Sequence, residues 1–186
     1  MQAGSRQHCG RLGTAGSVRR CFSVSAFFKI REGNGARVER TLIIVKPDGV
    51  QRGLIGRVIT RLEDKGLRLA GLKLMKVSKE LAETHYGEHR DKPFFGDLVS
   101  FITSSPVVVG VVEGPNAVSV TRGLVGATNP VDATAGTIRG DFGLSIGMNI
   151  IHASDAVETG QREVGLFFDE SEIIDYSRDI ESWIVE

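Results

Sequence analysis

The apolar residues of the chain fall into short runs and one-sided stripes, which predict strands alternating with helices. The run Thr41–Val45 is apolar and largely β-branched, and the segment 46–49 (KPDG) stops it, so we expect a buried strand that ends in a turn. From Leu54 to Lys65 the apolar residues recur at the spacing of one helix face, and Gly66 follows as a C-terminal stop.

The middle of the chain continues this alternation. Residues 69–77 are expected to form a second strand, and Ser78 is expected to cap a helix that runs to about Arg90. A short helix should follow the break at Pro93. The uninterrupted apolar run Val107–Val112 predicts a third buried strand.

The last third of the chain completes the pattern. Residues 115–126 are expected to be helical, and residues 127–139 show no period, which predicts a long ordered loop. Residues 149–151 are expected to form the last strand, and Asp155 should then cap a helix to about Phe168. The order βαββαβ predicts an α/β (α+β) fold: a ferredoxin-like sandwich with helices covering an antiparallel four-stranded sheet.

The first forty residues differ from the rest in composition. Residues 1–31 contain no acidic residue, and Arg recurs there among Gly, Ser and small apolar residues, which is typical of a transit peptide. The segment 20–23 (RCFS) resembles a mitochondrial processing site. We expect residues 1–38 to be a cleaved transit peptide and linker, with 39–186 as the folded domain. A plastid address and an untargeted basic tail remain as alternatives.

Charge and cysteine content exclude several classes of function. Residues 1–40 hold eight Lys and Arg against two Glu, which leaves residues 41–186 with 15 basic and 21 acidic residues, a net charge of −6. We therefore expect no dedicated nucleic-acid site, and membrane association has no support in the sequence. Both cysteines, Cys9 and Cys21, lie in the leader, so disulfides and thiolate zinc sites are excluded from the body.

Two kinds of short motif suggest other chemistry. The tripeptides at 89–91 (HRD) and 141–143 (DFG) occur in protein kinases, but Gly96 stands where that pattern needs Asn, and the body is too short for a protein kinase. The segment 85–89 (HYGEH) would place His85 and His89 on one face of a helix, as zinc requires. A zinc hydrolase therefore stays open as an alternative.

His152 is the histidine whose position suggests catalysis. It follows an apolar strand and precedes the expected start of a helix, where backbone N–H groups can receive an anion. The alternative is a structural histidine at the end of a strand. Arg139 is similarly ambiguous, because it could pair with Asp141 or bind a phosphate with two N–H groups.

Six segments together carry a resemblance to the nucleoside-diphosphate kinase family, in order and spacing. They are 41–56 (TLIIVKPDGVQRGLIG), 85–95 (HYGEHRDKPFF), 104–114 (SSPVVVGVVEG), 126–130 (GATNP), 136–142 (GTIRGDF) and 149–155 (NIIHASD). The similarity covers essentially all of 39–186, including the Trp183-Ile184-Val185-Glu186 tail, and it leaves the leader out. The alternative to an enzyme is a family member that serves only as a scaffold or binds a partner.

The resemblance implies the roles of individual residues. It makes His152 the residue that carries phosphate, with Glu163 orienting its ring and Ser154 beside it. It assigns Lys46 and Asn149 to the ribose, with Lys46 also near the transferred phosphate. Further positions implied to contact the nucleotide or the histidine are Tyr86 (hydroxyl next to the histidine), Arg122, Thr128 and Arg139 (phosphates), His89 (phosphate in some members), and Phe94 with Ile146 (base).

The resemblance also implies the reaction and the assembly. A nucleoside triphosphate donates its γ-phosphate to His152, and a nucleoside diphosphate then takes it back. Mg²⁺ is expected as the cofactor, held mainly by substrate phosphates and water, without a protein metal site. A homo-hexamer is expected from the tail and from Pro130 in the 127–139 loop.

Overall fold

The computed structural model describes residues 32–33 and 36–184. The expected processing segment 20–23 and the last two residues of the tail lie outside the described residues. Within that part of the chain, no helix is both long enough and apolar enough to cross a membrane.

The described strands form one antiparallel sheet. The strands are β1 (Glu32–Gly33), β2 (Ala36–Val45), β3 (Arg68–Met75), β4 (Val107–Pro115) and β5 (Ile151–Ala153). Neighbours follow the order β3-β4-β2-β5, and the short β1 pairs with the start of β2. Every pairing is antiparallel, which confirms the predicted ferredoxin-like fold.

Helices cover both faces of this sheet. They are α1 (Pro47–Gln51), α2 (Ile55–Asp64), α3 (Lys79–His85), α4 (Phe95–Thr103), α5 (Ala117–Val125), α6 (Ile138–Phe142) and α7 (Val157–Phe167). Short 3-10 helices occupy Gly87–His89, Pro130–Asp132, Glu170–Glu172 and Glu181–Trp183. Successive residues of β2 point to opposite faces, so Ile43 and Val45 join one core cluster while Leu42 and Ile44 join the other. The uninterrupted apolar run in β2 follows from this two-sided burial.

Four local predictions were wrong in their boundaries. The segment after β2 begins helix α1 and is not a simple turn, because Pro47 occupies the first helical position. The helix expected to reach Arg90 ends at His85, since Tyr86 leaves helical geometry and a 3-10 turn follows. The end of the expected transit peptide and linker, residues 36–38, is already strand, because β2 begins at Ala36. The expected 127–139 loop already contains a 3-10 helix and the start of α6.

The boundaries around His152 also differ from the prediction. The last strand covers 151–153 and not 149–151, so His152 lies within it. The following helix begins at Val157 after an extended Ala156, and Asp155 is not its cap. His152 is therefore not next to a helix N-terminus. Its position is set by strand pairing.

Candidate functional site

His152 projects from the strand that pairs with β2 near the start of α1. Its main chain lies opposite Ile44 in the sheet, and its neighbours Ile151 and Ala153 are buried. The His152 side chain itself is 22% exposed. Strand alternation thus leaves the imidazole of His152 partly exposed, while its two neighbours in the strand are buried.

A buried carboxylate orients this imidazole. Nε2 of His152 lies 2.9 Å from Oε2 of Glu163, and the hydroxyl of Ser154 donates to the same oxygen at 2.6 Å. Ser154 is in turn held by the backbone N–H of Leu42, which donates to its Oγ at 3.2 Å. Because Nε2 carries the proton toward the carboxylate, the neutral ring has its lone pair on Nδ1. The arrangement leaves Nδ1 as the nucleophilic nitrogen.

Close packing of α7 on β2 brings Glu163 to His152. A Cβ atom at Gly160 would lie 2.9 Å from the carbonyl oxygen of Arg40, so only glycine allows this approach without a shift. Burial alone would raise the pKa of Glu163, but its hydrogen bond to His152 and its electrostatic interactions with His152 and His85 outweigh burial and hold that pKa below its ordinary value. Glu163 therefore stays ionised beside the histidine.

The residue two before His152 has a strained backbone. Ile150 has a φ of 69°, and Ile151 N–H donates to the Asn149 carbonyl at 2.8 Å, which closes a γ-turn. The N–H of Lys46 donates to the Ile150 carbonyl at 2.8 Å, and the N–H of Ile150 donates to Asp48 at 2.9 Å. A β-branched residue with positive φ is an outlier that its surroundings must hold in place. Here α1 does so, which couples the start of α1 to the strand of His152.

Lys46 and Asn149 form a buried polar pair beside this turn. Nζ of Lys46 donates to Oδ1 of Asn149 at 2.7 Å, and Nδ2 of Asn149 donates to the Thr128 carbonyl at 2.9 Å. Burial, and then the positive charge of Arg139, lower the pKa of Lys46 from 10.5 to about 8. An anionic ligand next to Nζ would favour the charged form of Lys46 and offset both effects, so this side chain is suited to bind an anion.

Arg139 is a buried cation that braces the same region. Its guanidinium donates to the carbonyls of Asn149 (3.2 Å), Gly126 (3.2 Å) and Ile151 (2.7 Å). Three of its five N–H groups are used in this way. Burial and the nearby charge of Arg122 lower the pKa of Arg139 to about 10. The expected alternative partner, Asp141, pairs instead with Arg61.

His85 is the residue near His152 that the sequence analysis did not place in the site. It is 3% exposed, and its ring meets that of His152 edge-on, with centroids 4.7 Å apart. Tyr86, which the resemblance placed next to the histidine, packs its ring on His85 at 4.6 Å. His85 precedes Tyr86 in the segment 85–95, and this position next to a residue already assigned to the site is the sequence signal that could have revealed it.

The residues assigned to the base lie farther out. Phe94 is 47% exposed and Ile146 is 63% exposed, as expected for side chains that await a ligand. His89 lies 5.9 Å from Phe94, ring centre to ring centre, and its side chain is 39% exposed. Because α3 ends at His85 and His89 lies beyond in the 3-10 turn, the alternative of a zinc pair on one helix face is wrong.

Most site residues that the resemblance implied are therefore linked by direct contacts. His152, Glu163 and Ser154 form one hydrogen-bonded chain, and Lys46, Asn149, Thr128 and Arg139 form another. Arg122, on α5, joins the second group through its electrostatic effect on Arg139. A nucleophilic imidazole beside such a cluster of cations can receive a phosphoryl group.

Comparisons with known proteins point to one family. The sequence model described as nucleoside diphosphate kinase matches residues 39–173. A nucleoside diphosphate kinase of Thermomicrobium roseum is 62% identical over 148 residues, which cover 80% of this chain and 99% of that protein. The enzyme of the same name from Acaryochloris marina is 61% identical over 149 residues, covering 80% of this chain and all of that protein.

Solved structures agree with the sequence relatives. A nucleoside diphosphate kinase of Halobacterium salinarum in complex with CDP superposes with a TM-score of 0.78 at 55% identity, covering 80% of this chain and 99% of its own. A nucleoside diphosphate kinase family protein of Babesia bovis gives a TM-score of 0.77 at 48% identity, with coverages of 79% and 99%. With this fold, this cluster around His152 and this level of identity, the chain belongs to the nucleoside diphosphate kinase family.

Proposed function

We propose that this enzyme transfers the γ-phosphate of a nucleoside triphosphate, mainly ATP, to a nucleoside diphosphate through a phosphate carried on His152. Such an exchange would support the synthesis of GTP, CTP and UTP. The observation that carries the proposal is the contact between Nε2 of His152 and Glu163, which leaves Nδ1 with its lone pair at the surface. The relative solved with CDP supports the substrate class.

The reaction follows from the orientation of His152. Its Nδ1 attacks the γ-phosphorus, and the bond from that phosphorus to the bridging oxygen breaks, so the nucleoside diphosphate leaves with the electron pair. The ring becomes cationic while its Nε2–H stays hydrogen-bonded to Glu163, whose negative charge stabilises it. A second nucleoside diphosphate reverses these steps and restores the free imidazole. The two half-reactions constitute a ping-pong scheme.

Charge on the phosphates is balanced by the cluster around Asn149. We assign the phosphates to Arg122, Thr128 and Arg139, and the ribose to Lys46 and Asn149. We assign Mg²⁺ to the phosphates of the substrate, where it would neutralise charge. Glu163 is occupied by His152 and Ser154, and one oxygen of Asp48 accepts the Ile150 N–H.

Incubation with γ-labelled ATP tests the proposed reaction. The label should become attached to the protein, survive alkali, be lost in acid and be removed by any added nucleoside diphosphate. Two-substrate kinetics should give parallel double-reciprocal lines. A label that survives acid would contradict phosphate transfer through a histidine.

Replacing Phe94 by Ala should weaken every nucleotide to a similar extent. A half-exposed ring offers a stacking surface without reading base edges, and stacking contributes about 1–3 kcal/mol per base whatever its identity. Calorimetric binding of ADP, GDP, CDP and UDP to wild type and F94A measures this. A loss confined to purines or to pyrimidines would mean that the base edge is read directly.

The activity of the free enzyme should fall as the pH rises through about 8. The lowered pKa of Lys46 makes that side chain lose its charge there, and with it part of the attraction for the nucleotide. The K46R variant keeps its charge to higher pH, so its kcat/KM should lack this decline even if its value at neutral pH is reduced. The measurement is a pH profile of kcat/KM for both proteins, and identical profiles would assign the decline to another group.

A homo-hexamer is the assembly that we propose. Val131, beside Pro130 in the 127–139 loop, is 76% exposed, and Trp183 in the tail is 88% exposed, which is unusual for large apolar side chains. Light scattering on the protein without its leader should give six times the chain mass. A monomer or a dimer at micromolar concentration would refute this assembly, and a tetramer would mean that the tail was misread.

Delivery to the mitochondrion is proposed from the composition of residues 1–31. N-terminal sequencing of the protein from its native organelle should begin between about Ser23 and Lys29, because the RCFS segment resembles a processing site. Recovery from a plastid would support the alternative address. An intact Met1 on a cytosolic protein would rule out both.

A further inference from the structure

Three side chains able to ligate a metal converge on the buried side of His152. One ligand atom from each of His85, His152 and Glu163 lies within 4.8 Å of the other two. Nδ1 of His85 is 3.5 Å from Oε1 of Glu163, and Nε2 of His152 is 2.9 Å from Oε2 of the same carboxylate. Ligand atoms around a tetrahedral zinc ion lie about 3.3 Å apart when the bonds are 2.0–2.1 Å. The two oxygens of the carboxylate are therefore close to this spacing, Oε1 from His85 and Oε2 from His152.

His85 has a ligand atom that the fold does not use. Its side chain is buried, and neither ring nitrogen makes a hydrogen bond, although Nδ1 is close to Glu163. A buried polar group without a partner is uncommon and calls for an explanation. Neutral imidazole is the form that binds metals.

The chemistry of the three ligands selects the kind of metal. Two imidazoles and one carboxylate suit zinc and similar divalent transition metals, whereas Mg²⁺ prefers oxygen ligands in an octahedral arrangement. The same ligand set, with one open position, occurs in catalytic zinc sites. The positive charges of Arg162 and Lys46, which act on His85, oppose a bound cation and should weaken its binding.

We propose that His85, His152 and Glu163 form a binding site for a divalent transition metal such as Zn²⁺, and that the bound metal inhibits phosphate transfer. The metal binds Nε2 of His152, whose proton leaves for solvent, and the neutral ring takes up a proton from solvent on Nδ1. The lone pair of Nδ1 is then no longer available for attack on phosphorus. Zn²⁺ thus inhibits by holding His152 in the tautomer with its proton on Nδ1, and it need not contact the nucleotide.

A zinc titration tests the site directly. The probe is Zn²⁺ competed against a chromophoric chelator, and Co²⁺ absorption reports the ligand geometry. The untagged full chain should carry C9S and C21S so that the leader thiols do not compete. H85F, which fills the same space without a ligand, should weaken Zn²⁺ by more than about 100-fold, since even loss of an outer hydrogen-bond partner costs 10–100-fold.

A matched histidine provides the control. His89 is half-exposed and follows in the same segment, so H89Q should leave the affinity for Zn²⁺ unchanged. If H89Q and H85F weaken the affinity for Zn²⁺ equally, the metal binds His85 and His89, and the proposal is wrong. An unchanged affinity in H85F would also refute it. If H85F does not fold, the site is tested on the C9S/C21S chain by acylation of its histidines with diethyl pyrocarbonate. Zn²⁺ should protect His152 from acylation but leave His89 reactive, and acylation of His152 in saturating Zn²⁺ would refute the site.

The inhibitory part rests on the proposed phosphate transfer and is tested separately. With excess MgATP, Zn²⁺ should suppress labelling of wild type at concentrations that match its binding constant, and a chelator should restore labelling. An enzyme that exchanges phosphate but binds no Zn²⁺ would refute this inference and leave the proposed function intact. A chain that binds Zn²⁺ but never becomes labelled would refute the function and leave the metal site.

Discussion

Replacement of His152 by Ala should reduce phosphate exchange by more than about 10⁴-fold, as expected for loss of a covalent nucleophile. The ribose, base and phosphate contacts that we assign lie on other residues, so binding of ADP should be largely retained. His152 is partly exposed at the surface of the sheet, and its loss should leave the fold intact. Exchange kinetics, γ-labelling and calorimetric ADP binding on H152A measure the two effects separately.

Glu163 provides a graded comparison for His152. The E163Q variant keeps the shape of the side chain but removes the charge that stabilises the cationic ring, and we expect a loss of about 10–100-fold in turnover. Glu158, an exposed acid in the first turn of the same helix, is the matched control, and E158Q should stay close to wild type. Near-normal turnover of H152A would overturn the proposed mechanism.

Loss of Arg139 should affect both stability and activity. In R139M the carbonyls of Gly126, Asn149 and Ile151 lose their partner in a buried environment, and we expect about 2–4 kcal/mol lower free energy of unfolding. Removal of the charge next to Arg122 should also lower kcat/KM by about 100-fold. Urea unfolding followed by circular dichroism, and steady-state kinetics, measure these two quantities.

Two further variants separate the roles of Arg139. R139K keeps a cation but cannot reach three carbonyls at once, so it should recover part of the activity and little of the stability. Arg61 pairs with Asp141 at the surface, and R61M should change the free energy of unfolding by less than about 1 kcal/mol. If R61M and R139M are destabilised equally, the bracing role of Arg139 is wrong.

The strands of the sheet and their order along the chain were predictable because each buried strand appears in the sequence as a local run of apolar residues. Thr41–Val45 and Val107–Val112 are buried on both faces, and a strand in that position must be apolar without alternation. The helix at 55–64 shows a clear stripe, because one of its faces lies on the sheet and the other in water. Element ends were less predictable. At the end of α3, His85 packs against both Tyr86 and His152, and the contact with His152 is not a local property of the sequence.

By itself the sequence determined the fold class and the family, and it predicted which histidine carries the phosphate, since apolar periodicity and the spacing of the matching segments are properties of the chain order. Only the tertiary structure decided that His152 lies within a strand, that the positive φ of Ile150 is held by Lys46 and Asp48, and that His85 turns inward to meet Glu163. These features depend on residues that are far apart in sequence. The physical reason is that strand pairing and the close approach of α7 at Gly160 bring them together, and neither leaves a local pattern in the chain.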